Sequence, residues 1–430
     1  MTTPSATAAS PAIAPRYLTR FRCTAGDCED TCCAGWAVVL DEPHFVALSQ
    51  VMSRTAEERA EFAAAHHLLE APDACAARWA VLARRPDGLC AMLTGDRMCG
   101  IQNRYGEGLL PSVCASYPRG LASINGRREV TATLSCPEAA RLCLFGEEAM
   151  ALDEVGPDAL RLLQPKHHIG SRPDDPWIHY FDDVRGAVLG VLGRLDDPLT
   201  TRLMVIAWFS ERLGPLLRRG VAALDERALC DLIGALQRSD VLDQWRQHMR
   251  DPDEANPQVT DLLLEGLAMH GATPLPSFSR VVGRAMEAFG GRPEGEAGRF
   301  VVIPDAAHAA YAARRGRIDE GLAARLDAAM TNYAYNFWLR EPYAASPDLL
   351  AHTLKLLFRM ALVRFLLAGQ PLLATDEPVD EAEFDRALVE VVYATSRAID
   401  HDAGFVAAVD RRLGGEGERT LSRAAAMIQF

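Results

Sequence analysis

From Trp177 onward, apolar residues recur at three- and four-residue intervals between Pro, Gly and Asp boundaries, the signature of amphipathic helices packed on one another. The pattern predicts helices over 177–195, 199–217 and 225–249, then over 258–270, 322–338, 346–367 and 380–399. The stretch 290–299 is charged and glycine-containing and is expected as an exposed loop. Before Cys143 the text is different. Glycines and prolines divide it into short segments, as in a loop scaffold around a site. One helix is expected over 43–70, where Phe45, Leu48, Val51 and Met52 fall at helical spacing. Asn125-Gly126 predicts a tight hairpin turn, followed by strand-like alternation over 129–134. No fixed-period repeat is visible. The fold class read from this is mainly α: a disordered leader at 1–15, an irregular cysteine-rich module over 16–145, and a multi-helix domain over 146–430 on which the module packs.

The length of 430 residues exceeds what a single core usually organises, and 49% hydrophobic with 24% charged residues is ordinary globular composition. A formal charge of −13 argues against a nucleic-acid partner, which would call for a lysine- and arginine-rich face. Residues 1–15 have no basic n-region and no continuous apolar stretch, so they do not read as a secretory signal. The most apolar later stretch, 354–367, is interrupted by Arg359 and Arg364 and is too short to span a bilayer. A cytoplasmic protein without membrane insertion is expected.

The cysteines change this picture. Eight of the eleven form two groups, Cys23-x4-Cys28-x3-Cys32-Cys33 and Cys90-x8-Cys99-x14-Cys114-x21-Cys136. In a reducing compartment such clustering favours metal ligation over disulfides, and all eight are candidate metal ligands. Adjacent Cys32 and Cys33 point in different directions, so that one ligates while the other packs, or each serves a different metal. The spacings match neither the ferredoxin run nor a paired zinc-ribbon pattern, and a [4Fe–4S] cluster and structural zinc can each use four thiolates. Eight candidates for four positions mean two centres or several passengers. Cys75, Cys143 and Cys230 are expected as small buried hydrophobes.

The segments Cys28-x3-Cys32-Cys33 with Trp36, Asp87-Gly88-x-Cys90 with Leu93, Cys99-x-Ile101-Gln102, Cys114-x2-Tyr117-Pro118-Arg119 and Leu134-Ser135-Cys136-Pro137-Glu138-Ala139-Ala140 resemble the flagellin lysine N-methylase family. That family shares its cysteine module with the broader CxxCxxCC iron- or zinc-chelating proteins. Asn332-Tyr333 with Asn336, and Ser396-Arg397-Ala398-Ile399-Asp400-His401, resemble the family's helical region, so the likeness runs from about Arg16 to His401. The resemblance implies methyl transfer from S-adenosylmethionine to lysine side chains of flagellin by a protein carrying a [4Fe–4S] cluster.

The residues add their own requirements. No G-x-G-x-x-G fingerprint is present, nor a Cys-x3-Cys-x2-Cys run, because Gly35 holds the third position. A lysine ammonium cannot attack a methyl sulfonium, so the site must neutralise the amine by burial or by a base. Tyr117, Glu138 and Tyr333 are the candidate catalytic residues, with Asp41 a further one; core tyrosines and surface carboxylates are the competing readings. Arg119, close to Cys114, suits the carboxylate of the methyl donor, with a supporting salt bridge as its rival role. Trp36 and Arg397 join it as candidate cofactor contacts, although Arg397, Asn332 and His401 also suit helix capping or pairing across the helical body. His66-His67 and His167-His168 lie outside the cysteine groups and are set aside. The rival to an enzyme is a non-enzymatic iron–sulfur or zinc protein with a structural or redox-sensing role, and a methylase of another protein remains a third reading.

Overall fold

The computed structural model describes residues 12–160, 163, 165–170, 172, 174–219, 225–248, 257–269, 275–294, 299–400 and 420–430. The protein is mainly α, as the periodicity predicts. Its hub is the helix Leu349–Ala368, in which every residue except Lys355 and Arg364 is buried. A helix apolar on all sides must be surrounded. Here Leu199–Arg218, Pro276–Ala288, Pro304–Arg315, Glu381–Ile399 and Leu421–Gln429 pack around it.

Beside this body lies a five-stranded mixed sheet. Its strands are β1 (Ala12–Pro15), β5 (Arg119–Ile124), β6 (Arg127–Ala132), β7 (Leu152–Val155) and β8 (Pro165–Ile169), in the order β7-β1-β6-β5-β8; β2 to β4 belong to a smaller sheet. β5 and β6 form the hairpin expected at Asn125-Gly126, whose φ values of 48° and 80° suit a tight turn. Tyr17 fastens the sheet to the body: its hydroxyl donates to Asn336 Oδ1 (2.7 Å) and accepts from the Ala132 amide (3.2 Å), while Asn336 Nδ2 donates to the Ala132 carbonyl (3.1 Å). On β6, Glu129 is clamped by both guanidinium nitrogens of Arg185 at 2.8 Å, the two side chains being 3% and 6% exposed.

A separate small lobe covers residues 33–116. Its sheet has the order β2 (Val39–Leu40), β4 (Ala80–Leu82), β3 (His66–Leu68), and its own apolar core contains Leu40, Leu48, Met52, Phe62, Leu82 and Ile101.

Several expectations are corrected. Part of the expected leader is ordered, because Ala12–Pro15 pairs with β6 and β7; residues 1–11 lie outside the described residues. The expected boundary at 145/146 separates nothing, since β7 and β8 beyond it complete the sheet begun by β1, β5 and β6. The single helix over 43–70 is two helices, Glu42–Val51 and Ala56–Ala64, followed by β3. Thr55 starts the second: its hydroxyl accepts from the Glu58 amide and Glu58 returns a bond to the Thr55 amide, both 3.1 Å. Likewise 225–249 divides into Glu226–Ala235 and Ser239–His248, and helices Pro137–Phe145, Pro276–Ala288, Pro304–Arg315 and Leu421–Gln429 were not anticipated. In 290–299, Arg292–Glu294 pairs with Arg299–Val301, and 295–298 lie outside the described residues.

Candidate functional site

The loop 23–36 runs between the sheet, the small lobe and the body, with few backbone bonds of its own. The Cys28 thiol donates to the Asp30 carbonyl at 3.0 Å, and Arg97 of the small lobe donates to the Cys28 carbonyl at 2.8 Å. From the body, Arg397 holds the same loop: it pairs with Asp30 at 2.7 Å and donates to the Thr31 carbonyl at 3.0 Å. Gly35 ends the loop at φ +85°, and a Cβ there would meet Leu275 Cδ2 at 2.3 Å, so only glycine lets the chain pass that leucine.

Inside the loop is a cavity of about 180 Å³ lined by Cys23, Cys28, Cys32, Cys33, Cys99, Cys114 and Cys136. Seven of the eight candidate thiols therefore converge, although the sequence scatters them over a hundred residues; Cys90 lies behind, in the small lobe's core. Cys136 sits at the N-cap of helix Pro137–Phe145, and burial pushes its thiol up to about 12; burial also raises Cys28 and Cys99. A bound cation would reverse this preference for the protonated form. Among the described residues, no three Cys, His, Asp or Glu side chains already stand in metal-holding geometry. The donor set fits a thiolate-held centre in type, number and convergence, and the sulfurs would have to turn inward to close on one.

A second cavity, of about 190 Å³ and polar, lies on the other side of Trp36, Tyr117, Pro118 and Arg119; the last three also line the thiol cavity. The indole of Trp36 donates to the Cys32 carbonyl at 2.6 Å and lies 5.6 Å from the Tyr117 ring. Arg119 donates through one terminal nitrogen to the Ala115 carbonyl at 3.0 Å, while its buried Nε has no partner among the described residues. Across the polar cavity stand Lys166, His167, Arg340, Glu341 and Asp400. Arg340 bonds Asp400 at 2.9 Å and Glu341 at 3.2 Å, tying up both carboxylates. Lys166 and His167 are shifted toward their neutral forms, first by desolvation against the cavity wall, although the Lys166 side chain is exposed at its mouth.

The expected site residues thus divide. Trp36, Tyr117, Arg119 and Glu138 line the cavities. Tyr117 bonds Ser135 at 3.1 Å, and burial raises its pKa, so it serves as a hydrogen-bonding group and not as a base. Glu138 is ion-paired with Arg141. Tyr333 is corrected to a core residue: it is buried among apolar neighbours and lines neither cavity. Arg397 is corrected from cofactor contact to clasp, because its guanidinium is taken by Asp30 and Thr31. Asp41 caps helix Glu42–Val51, accepting from the His44 amide at 2.9 Å. Asn332 donates to the Leu144 carbonyl at 3.2 Å, joining two helices, and His401 lies outside the described residues. Cys143 is buried as expected, whereas Cys75 and Cys230 are exposed, contrary to expectation.

The sequence reading missed the polar cavity's far wall. Two signals were present: Arg340-Glu341 closes a long helix before Pro342, and Asp400 belongs to the same motif as Arg397. His167 had been set aside for lying away from the cysteines in the chain, but β8 pairs with β5 and brings it beside Ala122.

The model of the FliB lysine N-methylase C-terminal domain matches residues 185–427, more than half of the chain. The lysine-N-methylases of Salmonella typhimurium (strain LT2) and Salmonella choleraesuis (strain SC-B67) are each 30% identical over 145 residues, 33% of this chain and 34% of theirs. The match thus spans about a third of the length of those two relatives. The flagellar biosynthetic protein FliU of Salmonella muenchen is 30% identical over 145 residues, 33% of this chain and 80% of that protein. No solved structure matches. No helix among the described residues is long and apolar enough to cross a membrane. The family model and these relatives agree with the resemblance to lysine N-methylases, and the chain belongs to the FliB lysine N-methylase family.

Proposed function

We propose that the protein transfers a methyl group from S-adenosylmethionine to lysine side chains of flagellin and depends on an iron–sulfur cluster held by its N-terminal thiolates. The observation that carries this reading is the shared wall: a cavity of soft sulfur donors and a polar cavity stand back to back across Tyr117, Pro118 and Arg119. Family membership and the names of the relatives support the class of reaction, and their flagellar context supports the substrate.

Cys23, Cys28, Cys32 and Cys136 would hold the cluster, which when bound supplies a one-electron redox centre beside the wall. The remaining work falls to the chain itself. In the transfer, the donor's carbon–sulfur bond breaks as the carbon–nitrogen bond forms, and the amine must already have lost its proton. The polar cavity favours that state, since it shifts its own Lys166 and His167 toward neutrality. Arg119, with its unpartnered buried Nε, binds the donor's carboxylate. The faces of Trp36 and Tyr117 receive the sulfonium as aromatic faces receive other cations.

The test is transfer of isotope-labelled methyl from S-adenosylmethionine to flagellin from the protein's own source, using protein prepared without oxygen. Label on flagellin lysines is expected with the intact protein and not with Cys32→Ser. Arg119→Gln should raise the KM for the donor about tenfold or more with a smaller change in kcat, the expected loss for a charged hydrogen bond. No label from cluster-loaded protein would overturn the reading in favour of a non-enzymatic iron–sulfur or zinc protein.

A further inference from the structure

The eight clustered thiols do not belong to one body of structure. Cys136 lies in the large core, with the sheet and the helical body. Cys90 lies in the small lobe's core, and Cys33, Cys99 and Cys114 pack against that same core. Cys23, Cys28 and Cys32 belong to neither core and face the thiol cavity.

Backbone geometry gathers the small lobe's four. The Cys90 amide donates to the Cys33 carbonyl at 2.7 Å, and Ala34 pairs with Leu89 as an antiparallel bridge. One turn later Leu93 donates to the Cys90 carbonyl at 3.0 Å and pairs with Cys99. Cys114 comes from the helix Ser112–Ser116, which packs its Ala115 into the same core.

The lobe has little regular structure: its strands are two and three residues long and its longest helix, Glu42–Val51, buries only Leu48. Its cysteines are free thiols, so no disulfide links its segments.

We infer that Cys33, Cys90, Cys99 and Cys114 form a second thiolate site, distinct from the proposed cluster ligands, that takes a structural zinc-class divalent cation and holds the small lobe together. Cys33, Cys90, Cys99 and Cys114 share the small lobe's core, whereas Cys136 belongs to the large one. The two sets meet at the thiol cavity, and consecutive Cys32 and Cys33 fall on different sides of the division. Binding releases the four thiol protons to solvent and turns the four sulfurs inward to about 2.3 Å from the ion.

Elemental analysis and visible absorption of anaerobically purified full-length protein test the partition without reference to methyl transfer. Wild type should carry zinc at about one atom per chain as well as iron. Cys99→Ser and Cys114→Ser should lose the zinc and keep the iron absorption, whereas Cys23→Ser and Cys28→Ser should do the reverse. Because a serine variant can fail to fold, Cys99→His is the control: an imidazole completes a three-cysteine, one-histidine site, so zinc should return with it. Zinc-free wild type overturns the inference. So does parallel loss of both metals in soluble variants of either set, or failure of Cys99→His to recover zinc.

Discussion

In the helical body, the helix Leu349–Ala368 exposes little beyond Lys355 and Arg364; in the small lobe, the longest helix buries one leucine. The body holds its order through apolar area, and its polar groups are inserted as paired exceptions, such as Arg185 with Glu129. The lobe holds its order through caps, turns and bridges around thiols: Asp41 and Thr55 start its helices, and isolated bridges join Ala34 to Leu89 and Leu93 to Cys99. One half can lose a surface contact with little consequence. The other has few contacts to lose.

This contrast can be broken most severely from the body side. Glu129→Ala strands the buried guanidinium of Arg185 and should cost about 3–5 kcal/mol in urea unfolding, while the zinc proposed for the lobe should stay bound; its loss at urea concentrations where the body is still folded would show that the two halves are not independent. A smaller effect comes from acid. His352, 1% exposed in the hub helix, is held neutral by burial, with Lys355 and Arg359 adding repulsion, and its pKa is lowered to about 3. Its unfolded counterpart takes a proton near pH 6.5, so stability is complete above that pH and falls as pH drops toward 3. Between pH 6.5 and 5 the loss should be about 2 kcal/mol. His352→Gln should flatten that part of the stability profile, and an unchanged slope would remove His352 as its cause. The smallest effect is in the lobe: Thr55→Ala removes one cap and should cost about 1 kcal/mol, measured as earlier loss of amide protection in Ala56–Ala64 than in Leu349–Ala368.

The same contrast decides how much could be read from the chain. Helices such as Glu381–Ile399 were legible almost to the residue, because a periodic apolar face specifies both the element and its burial. The Asn125-Gly126 turn was legible because its backbone demands those residues. The five-stranded sheet was not, since it draws short strands from either side of a supposed boundary and β1 has the sequence Ala-Ile-Ala-Pro, without strand-like alternation. Cysteine spacing revealed that thiols gather, but their division follows which core each one packs on, a property of tertiary structure. Asn332, Asn336 and Arg397 stood out as family motifs for a comparable reason: each carries a bond between distant segments, and for Arg397 that structural joint resembled a cofactor contact.

The Arg397 clasp also sets an order of events during synthesis. The loop carrying Cys28, Cys32 and Cys33 leaves the ribosome early, yet the guanidinium that fixes it lies 366 positions later. Until the helix Glu381–Ile399 has emerged and docked, that loop lacks the partner for Asp30 and Thr31. Insertion of the proposed cluster at the thiol cavity would therefore be a late step of maturation, and a chain stalled before Arg397 would present its cysteines unassembled to oxidants and to the wrong metals.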